Sequence, residues 1–270
     1  MFKLYETTCR SALNRSRIPG LDYCLNPYTG CSHGCIYCYA SCMTRFRGHR
    51  ERWGSFVQVK TNFLEVLAAQ LRRPKKGKVM LASVTDAYQA IERKFGLTRR
   101  CLELLTRSGL EVSILTKSDL VLRDLDFLKA MPAAEIGFTI TTLDDRLARL
   151  LEPGAPLPSR RLAALEKLSA AGIKTWVFIA PVIPGLTDAP EDLAAITKAA
   201  ARAGAREVDF DPLNFYPAAV SSIRELIARY WPRAQGIFEH ACRDPAAYRQ
   251  QLYRNWPPAG CPGTTPPLSR

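Results

Sequence analysis

The stretch CLNPYTGCSHGCIYCYA, residues 24–40, places Cys31, Cys35 and Cys38 in the spacing CxxxCxxC. Thiolates at such short intervals are typical ligands of zinc or of iron–sulfur clusters. Structural zinc usually takes four ligands, often from two CxxC pairs, and no second pair occurs in this sequence. Three cysteines can instead hold three irons of a 4Fe-4S cluster and leave the fourth iron open. We therefore rank the cluster ahead of zinc, and zinc ahead of inert core thiols.

The composition is that of a globular protein of 270 residues, 47% hydrophobic and 23% charged. No apolar run approaches the roughly 20 residues that a membrane span needs. The first residues show no apolar core of a secretory signal, so we expect a cytoplasmic protein without membrane contact. Five of the nine cysteines fall between Cys24 and Cys42. In a reducing compartment, such clustering indicates metal binding rather than a disulfide framework.

The net charge of +13 favours polyanionic partners, although a generally basic proteome explains it as well. Two segments concentrate this charge. SCMTRFRGHRERW (41–53) combines arginines with aromatic residues that could hold phosphates and stack bases, or it forms a solvated basic turn. RRPKKGK (72–78) precedes a strand, so we expect it at the end of the fold away from the chemistry.

Short apolar runs alternate with amphipathic stretches along most of the chain, which is typical of parallel βαβ units. The pattern predicts strands at 78–83, 111–117, 134–141, 174–183 and 206–214. It predicts helices at 97–109, 120–131, 189–204 and roughly 219–242. The predicted fold is α/β, a partial (β/α)6 TIM-type barrel of parallel strands with a helical C-terminal extension. A doubly wound sheet is the alternative.

The predicted organisation has three parts. Residues 1–23 form an N-terminal extension, residues 24–216 the partial barrel, and residues 217–270 a helical extension with a proline- and glycine-rich tail. In either candidate fold, chemistry gathers at the carboxyl ends of the strands.

CSHGCIYC (31–38) resembles the signature CxxxCxΦC of the radical S-adenosylmethionine (radical SAM) enzymes, where Φ is aromatic. Further blocks resemble the spore photoproduct lyase-like family within that superfamily. They are NPYTGCSHGCIYCYA, SVTDAYQAIERKFGLTR, TTLDDRLARLLEPGAPLPSRRL and APVIPGLTD, and they extend from about residue 24 to residue 188.

The resemblance implies that Cys31, Cys35 and Cys38 ligate a 4Fe-4S cluster whose open iron chelates S-adenosylmethionine. An external electron donor of flavodoxin or ferredoxin type would then reduce the cluster. Reductive cleavage would give methionine and a 5′-deoxyadenosyl radical that abstracts hydrogen from a substrate. The substrate is not identified, and a nucleic acid is one candidate.

The resemblance also implies cofactor contacts. Tyr37 would pack near the adenine, and Ile183 and Gly185 match an adenine-binding GxIxGxxE pattern from which Pro181 and Asp188 depart. The other cofactor-binding candidates are polar residues at strand ends or in the EPGAP block: Thr85, Asp86, Thr139, Thr141, Glu152 and Arg161. For Glu152 and Arg161 the implied ligand is the ribose or the methionine carboxylate. The competing interpretation for strand-end residues is ordinary helix capping.

One position departs from the lyase pattern. Spore photoproduct lyases carry an Ala-Cys-Thr-Ser-Asp run whose cysteine returns a hydrogen atom, and the corresponding run here is ASVTD (82–86). Ser83 therefore replaces the thiol, and an O–H bond is far stronger than an S–H bond. Ser83 and Tyr39 are the candidate catalytic residues, and Cys24 or Cys42 are alternative hydrogen donors. We expect a related enzyme with another substrate; the competing class is a non-catalytic iron–sulfur or zinc protein that binds nucleic acid.

Overall fold

The computed structural model describes residues 2–42 and 51–256. Its strands, in chain order, are β1 (Lys3–Thr7), β2 (Leu13–Arg15), β3 (Tyr23–Leu25), β4 (Tyr28–Thr29), β5 (Phe56–Lys60), β6 (Lys78–Leu81), β7 (Glu111–Thr116), β8 (Glu135–Thr139), β9 (Lys174–Val182) and β10 (Glu207–Pro212). The helices are α1 (Phe63–Leu71), α2 (Glu92–Phe95), α3 (Leu97–Leu105), α4 (Leu125–Lys129), α5 (Asp145–Leu151), α6 (Pro158–Ala170), α7 (Pro190–Arg202), α8 (Pro217–Tyr230), α9 (Gln235–Arg243) and α10 (Pro245–Arg254).

The main sheet has the strand order β10-β9-β8-β7-β6-β3-β2. The six strands from β3 to β10 in this order pair in parallel, and β2 pairs antiparallel to β3. Because the parallel strands follow one another in chain order, successive crossovers keep one direction, unlike those of a doubly wound sheet. This confirms the partial barrel of six parallel strands, and in the described ranges its two edges do not close on each other.

The chain before residue 24 adds to both sheets of the structure. Strand β2 extends the main sheet, and β1 pairs with β5 in a second sheet of order β1-β5-β4. After the barrel, α8, α9 and α10 form the helical C-terminal extension. The proline- and glycine-rich residues 257–270 and most of the basic segment 41–53, namely residues 43–50, lie outside the described residues.

The predicted long helix over roughly 219–242 is wrong in one respect, because the structure divides it. Helix α8 ends at Tyr230, a short 3-10 turn covers Pro232–Ala234, and α9 begins at Gln235. Trp231 lies outside the helical region at φ −138° and ψ 58°. Proline lacks a backbone N–H and pushes the preceding residue away from helical dihedral angles, so Pro232 accounts for the break.

The two faces of the main sheet differ in burial. On the outer face, under the helices, Val112, Ile114, Val177, Ile179 and Phe210 are at most 4% exposed. On the inner face, Ser113, Gly137 and Thr139 are also buried, but most alternating residues are only half-buried: Cys24, Met80, Leu115, Trp176, Phe178, Asp209 and Asp211. The sheet thus packs a dry core against its helices and leaves its inner face partly accessible, and we call the space over this face the chamber. None of the helices within the described ranges is long and apolar enough to cross a membrane.

A charged network lies across the amino ends of the barrel strands. Glu135 accepts from Lys78 Nζ (2.9 Å) and Lys174 Nζ (3.2 Å), and Lys174 also contacts Glu207 at 3.3 Å. Burial alone would raise the pKa of Glu135, but the two lysines outweigh it and the pKa is lowered. The end of the chamber opposite the strand carboxyl ends is therefore polar and tied together by ion pairs.

Substitutions on helix α6 can test the dry core on the outer face of the sheet. Leu165 is fully buried, and its neighbour Glu166 is exposed. We expect Leu165→Ala to lower the free energy of unfolding by about 2–5 kcal/mol, because it removes buried methyl groups and leaves a cavity. Urea unfolding followed by circular dichroism measures this change. Glu166→Ala on the same helix should change it by less than about 0.5 kcal/mol, and equal effects of the two variants would contradict the assigned core.

Candidate functional site

The cysteine loop lies at the carboxyl ends of the parallel strands, where Thr85 and Gln89 hold it. Thr85 Oγ1 donates to the carbonyl of Gly30 (2.5 Å), and Gln89 Nε2 donates to Thr85 Oγ1 (2.8 Å). Ser32 N–H donates to Gln89 Oε1 at 2.8 Å. Thr85 and Gln89 thus complete backbone hydrogen bonds of the loop. Sequence reasoning selected Thr85 as a cofactor ligand and missed Gln89, although both lie in the same block.

Glu92 anchors the start of the loop from the same block. The Tyr28 hydroxyl donates to the Glu92 carboxylate, which is fully buried. Arg123 Nη2 donates to Glu92 Oε1 (2.7 Å), and the N–H of Thr98 donates to Glu92 Oε2 (3.0 Å). The buried charge is therefore paired and hydrogen-bonded, as a stable buried carboxylate requires. It fixes the chain just before Cys31.

The glycines of the loop are required by close approaches of the backbone. Gly30 has φ +81°, and a Cβ there would lie 2.6 Å from the carbonyl oxygen of Phe56. Gly34 has φ +61° and crosses Gly54, whose added Cβ would lie 2.6 Å from the Gly34 Cα. Gly30 and Gly34 both need the left-handed conformation that glycine adopts without steric cost. The loop therefore turns tightly at both glycines.

The three thiols lie together on this loop, with Cys31 and Cys35 buried and Cys38 half-buried. Burial raises the pKa of all three, that of Cys35 to about 12. Lys117 opposes this effect for Cys35 and Cys38, and its Nζ lies 5.7 Å from the centre of the Tyr37 ring. A positive charge beside buried thiols favours their thiolate form. Sequence reasoning missed Lys117, although it is the last residue of a correctly predicted strand.

The three cysteines of the loop are the donor type that iron–sulfur clusters take. Across residues 2–42 and 51–256, no three cysteine, histidine or carboxylate side chains converge as they would around a single metal ion. The three loop thiols are nevertheless free and close enough for Cys35 to raise the pKa of Cys31 and Cys38 that of Cys35. A 4Fe-4S cluster is larger than one ion and takes each cysteine at a different iron. Three free thiols on one loop therefore fit the chemistry of a cluster.

A fully buried network behind the loop joins five of the predicted residues. The Tyr37 hydroxyl and Arg161 Nη2 both donate to the Glu152 carboxylate. Thr141 Oγ1 donates to Glu152 Oε1 (3.0 Å), and Arg161 Nη1 donates to the carbonyl of Thr139 (2.9 Å). Burial alone would raise the pKa of Glu152, but Arg161 and Lys117 outweigh it and the pKa is lowered. The ionised Glu152 and Arg161 thus compensate each other beneath the aromatic residue of the loop.

The backbone of the loop also rests on the turn that carries Glu152. Ile36 N–H donates to the carbonyl of Leu151 (3.0 Å), and Gly154 N–H donates to the carbonyl of His33 (2.9 Å). A Cβ at Gly154 would lie 2.1 Å from the carbonyl oxygen of Ser32. The EPGAP block thus supplies a docking surface for the loop in addition to its charged pair.

Asp86 supports the loop through His33. Its carboxylate accepts from the N–H groups of Tyr88 and Lys117 (2.8 Å each) and from Thr116 Oγ1 (2.7 Å). It also faces His33 Nδ1 at 3.4 Å. Burial lowers the pKa of His33 and thus opposes its protonation. The charge of Asp86 raises this pKa but does not outweigh the burial. Asp86 thus holds a turn and the end of β7 rather than capping a helix.

Ser83 and Tyr39, the candidate catalytic residues, lie side by side. The Tyr39 hydroxyl donates to the carbonyl of Ser83. Asn26 Oδ1 accepts from the N–H groups of Ser83 (3.0 Å) and Val84 (3.1 Å), and Asn26 Nδ2 donates to Ser83 Oγ (3.2 Å). Ala82 adopts φ +66°, which is uncommon outside glycine, so the chain turns sharply here. Asn26 was not selected from the sequence, because its partners are 57 and 58 residues away.

Ile183 and Gly185 follow β9, and Ile183 packs against the loop. Ile183 is fully buried in a cluster that includes Cys35 and Tyr37. Gly185 has φ +73°, and its N–H donates to Asp188 Oδ1 at 2.8 Å. Asp188, a departure from the family pattern, therefore closes this turn.

Cys24 and Cys42, the alternative hydrogen donors, lie in different places. Cys24 pairs with Met80 in the register of the sheet and thus shares its inner face with Met80 and Ser113. Cys42 is half-buried and ends the first described range of residues. Cys24 consequently faces the chamber, which its place in the sequence did not reveal.

The chain matches known proteins over most of its length. The profile described as Radical SAM superfamily matches residues 25–196. An uncharacterized protein of Methanocaldococcus jannaschii is 40% identical over 186 residues, covering 69% of this chain and 70% of that protein. An uncharacterized protein of Mycobacterium tuberculosis is 33% identical over 264 residues, covering 92% of this chain and 77% of that protein.

Among solved structures, a spore photoproduct lyase variant with bound S-adenosylmethionine and dinucleoside spore photoproduct superposes with a TM-score of 0.65. The two sequences are 20% identical, and the alignment covers 84% of this chain and 66% of the lyase. This likeness shows the fold. The chain spans slightly less than two thirds of the lyase.

The network behind the loop predicts a pH-dependent stability. Near neutral pH we expect Glu152→Gln to lower the free energy of unfolding by about 3–5 kcal/mol, because Arg161 stays buried without its partner. Since the folded-state pKa of Glu152 lies below its ordinary 4.5, this contribution is present above pH 4.5 and is lost as the pH falls further. Urea unfolding at several pH values measures the difference between wild type and variant. Glu166→Gln is the exposed control; a constant difference at all pH values would contradict the assignment.

Proposed function

Because the chain belongs to the radical SAM superfamily and is a radical SAM enzyme, we propose that Cys31, Cys35 and Cys38 hold a 4Fe-4S cluster for reductive cleavage of S-adenosylmethionine. One observation carries this proposal. The three thiols share a loop that is docked against residues at the carboxyl ends of the parallel strands. When bound, these cofactors supply a 5′-deoxyadenosyl radical, and the protein positions the substrate and excludes water.

Within this proposal, Lys117 binds the carboxylate of the methionine moiety or balances the charge of the ligating thiolates. Both roles need a cation beside the loop, and its Nζ lies over the Tyr37 ring. Tyr37 contributes apolar surface for the adenine, and the fully buried Ile183 packs behind it in the same cluster as Cys35. Gly185 shapes the adjoining turn.

The remaining candidates act by positioning. Glu152 and Arg161 are at most 2% exposed and already paired with each other. A direct contact with ribose or the methionine carboxylate would therefore break a buried ion pair. We assign them to holding Tyr37, together with Thr139 and Thr141. Thr85 and Asp86 likewise hold the loop. This assignment replaces the direct ligand role that the sequence resemblance implied for these residues.

The substrate enters the chamber and differs from spore photoproduct. Ser83 replaces the thiol that the lyase pattern requires, and its hydroxyl is engaged by Asn26. The aromatic rings of Trp176 and Phe178, whose centres are 6.0 Å apart, line the inner face and suit a flat group. Together with the net charge of +13, they support a nucleic acid as the substrate class. We further propose a cytoplasmic enzyme reduced by a flavodoxin or ferredoxin.

The cluster is tested by anaerobic reconstitution of the three single alanine variants of Cys31, Cys35 and Cys38. We expect each variant to lose bound iron and at least about 100-fold of its rate of 5′-deoxyadenosine formation under dithionite, because a cluster needs all three thiolates. Iron analysis, visible absorbance and chromatography measure these quantities. Cys101→Ala, which changes a buried cysteine on α3, should retain both properties.

Two outcomes would contradict the proposal. Stoichiometric zinc without 5′-deoxyadenosine would favour the non-catalytic metal protein, and unchanged turnover in any loop variant would exclude that cysteine as a ligand.

The role of Lys117 is tested by Lys117→Met, which keeps the length of the side chain and removes its charge. We expect the KM for S-adenosylmethionine to rise about tenfold, which corresponds to about 1.4 kcal/mol of lost charge attraction. The dependence of 5′-deoxyadenosine formation on S-adenosylmethionine concentration measures it. Lys117→Arg should restore part of the affinity, whereas an unchanged KM in Lys117→Met would exclude contact with the cofactor.

A further inference from the structure

A second cavity lies at the opposite end of the barrel from the cysteine loop. It has a volume of about 470 Å³ and its polar lining consists of Arg15, Tyr23, Gln70, Arg73 and Lys75. Arg15 ends β2 and pairs with Tyr23, the first residue of β3, so the cavity opens at the amino ends of the parallel strands. Its volume is within the range of small-molecule sites, about 300–1,000 Å³. Nothing in the radical chemistry uses this place.

The cavity carries positive charge without compensation. Arg15, Arg73 and Lys75 line it, and no carboxylate does. None of the ion pairs in residues 2–42 and 51–256 includes any of the three, whereas Lys78 and Lys174 at the same end of the barrel are paired with Glu135. Cations that share a cavity without a counter-charge repel each other, and a bound anion relieves this repulsion.

Both walls of the cavity are held in place. The guanidinium of Arg15 lies 4.7 Å from the centre of the Tyr23 ring, which is itself buried. Gln70 Oε1 accepts from the N–H groups of Ala12 and Leu13 (2.9 Å each), which ties α1 to the start of β2. A guanidinium stacked on an aromatic face keeps its N–H edge available for a planar anion or a phosphate.

We propose that this cavity binds the phosphate group of an anionic ligand, at a site separate from the radical centre. Exposed cations next to it in sequence, Arg17, Arg72 and Lys76, extend the positive surface beyond the cavity. Such an extension suits a nucleic-acid strand that continues past the site, and the cavity alone suits a free nucleotide. The proposal does not depend on the cluster assignment, because it concerns binding at the other end of the fold.

The test compares two charge-reversal variants of the reconstituted protein. Arg73→Glu/Lys75→Glu changes the cavity, and Lys198→Glu/Arg202→Glu makes the same change in net charge on the exposed face of α7. Fluorescence anisotropy with a short labelled single-stranded DNA tests the strand, and calorimetry with ATP tests the nucleotide. All four altered residues are remote from the loop, so 5′-deoxyadenosine formation should be unchanged, which separates this test from that of the cluster.

We expect the cavity variant to weaken binding of at least one probe tenfold or more and the α7 variant to weaken it less than threefold. For DNA, the loss of two phosphate contacts should also reduce the slope of log affinity against log salt by about 1.4. DNA binding without ATP binding identifies a strand as the ligand, and ATP binding with the same dependence identifies a nucleotide. Failure of the wild type to bind either probe, or equal weakening by the two variants, would overturn the proposal.

Discussion

The site depends on the hydrogen bonds and the ion pair that the buried carboxylate of Glu152 accepts. It accepts from Tyr37 on the cysteine loop, from Thr141 at the end of a barrel strand and from Arg161 on α6. A charge in this position is stable only when it is paired and its remaining lone pairs are used. Satisfying that requirement forces loop, strand and helix into one arrangement.

Other buried polar side chains support the loop in the same way. Glu92 and Asp86 are buried carboxylates that engage Tyr28 and His33, on either side of Cys31. Gln89 adds a neutral partner for the backbone of Ser32. Each support comes from a segment at the carboxyl end of a strand, so the barrel presents a set of fixed partners to a segment with little regular structure of its own. A loop held in this way can keep its ligands preorganised without relying on its own secondary structure.

The distribution of burial separates stability from function. The helices cover the outer face of the sheet with residues that are nearly inaccessible, and that face supplies the hydrophobic stabilisation. The inner face is half-buried and mixed in character, with aromatic rings, carboxylates and a cysteine. Closed barrels of this type fill their interior with side chains. An open sheet of six parallel strands leaves that space to a cofactor and a substrate.

The sequence by itself determined the fold class and the cysteine loop. Strand periodicity and the CxxxCxxC spacing are local patterns, and both can be recognised without knowledge of distant contacts. The break at Trp231 was also encoded locally, by Pro232, and was overlooked because the apolar pattern continues across it. By contrast, only the tertiary structure decided what the polar residues do. Lys117, Gln89 and Asn26 meet partners many positions away, and Glu152 and Arg161 neutralise each other instead of meeting solvent. Whether a charge faces a ligand or a buried partner depends on distances in space that residue spacing does not specify.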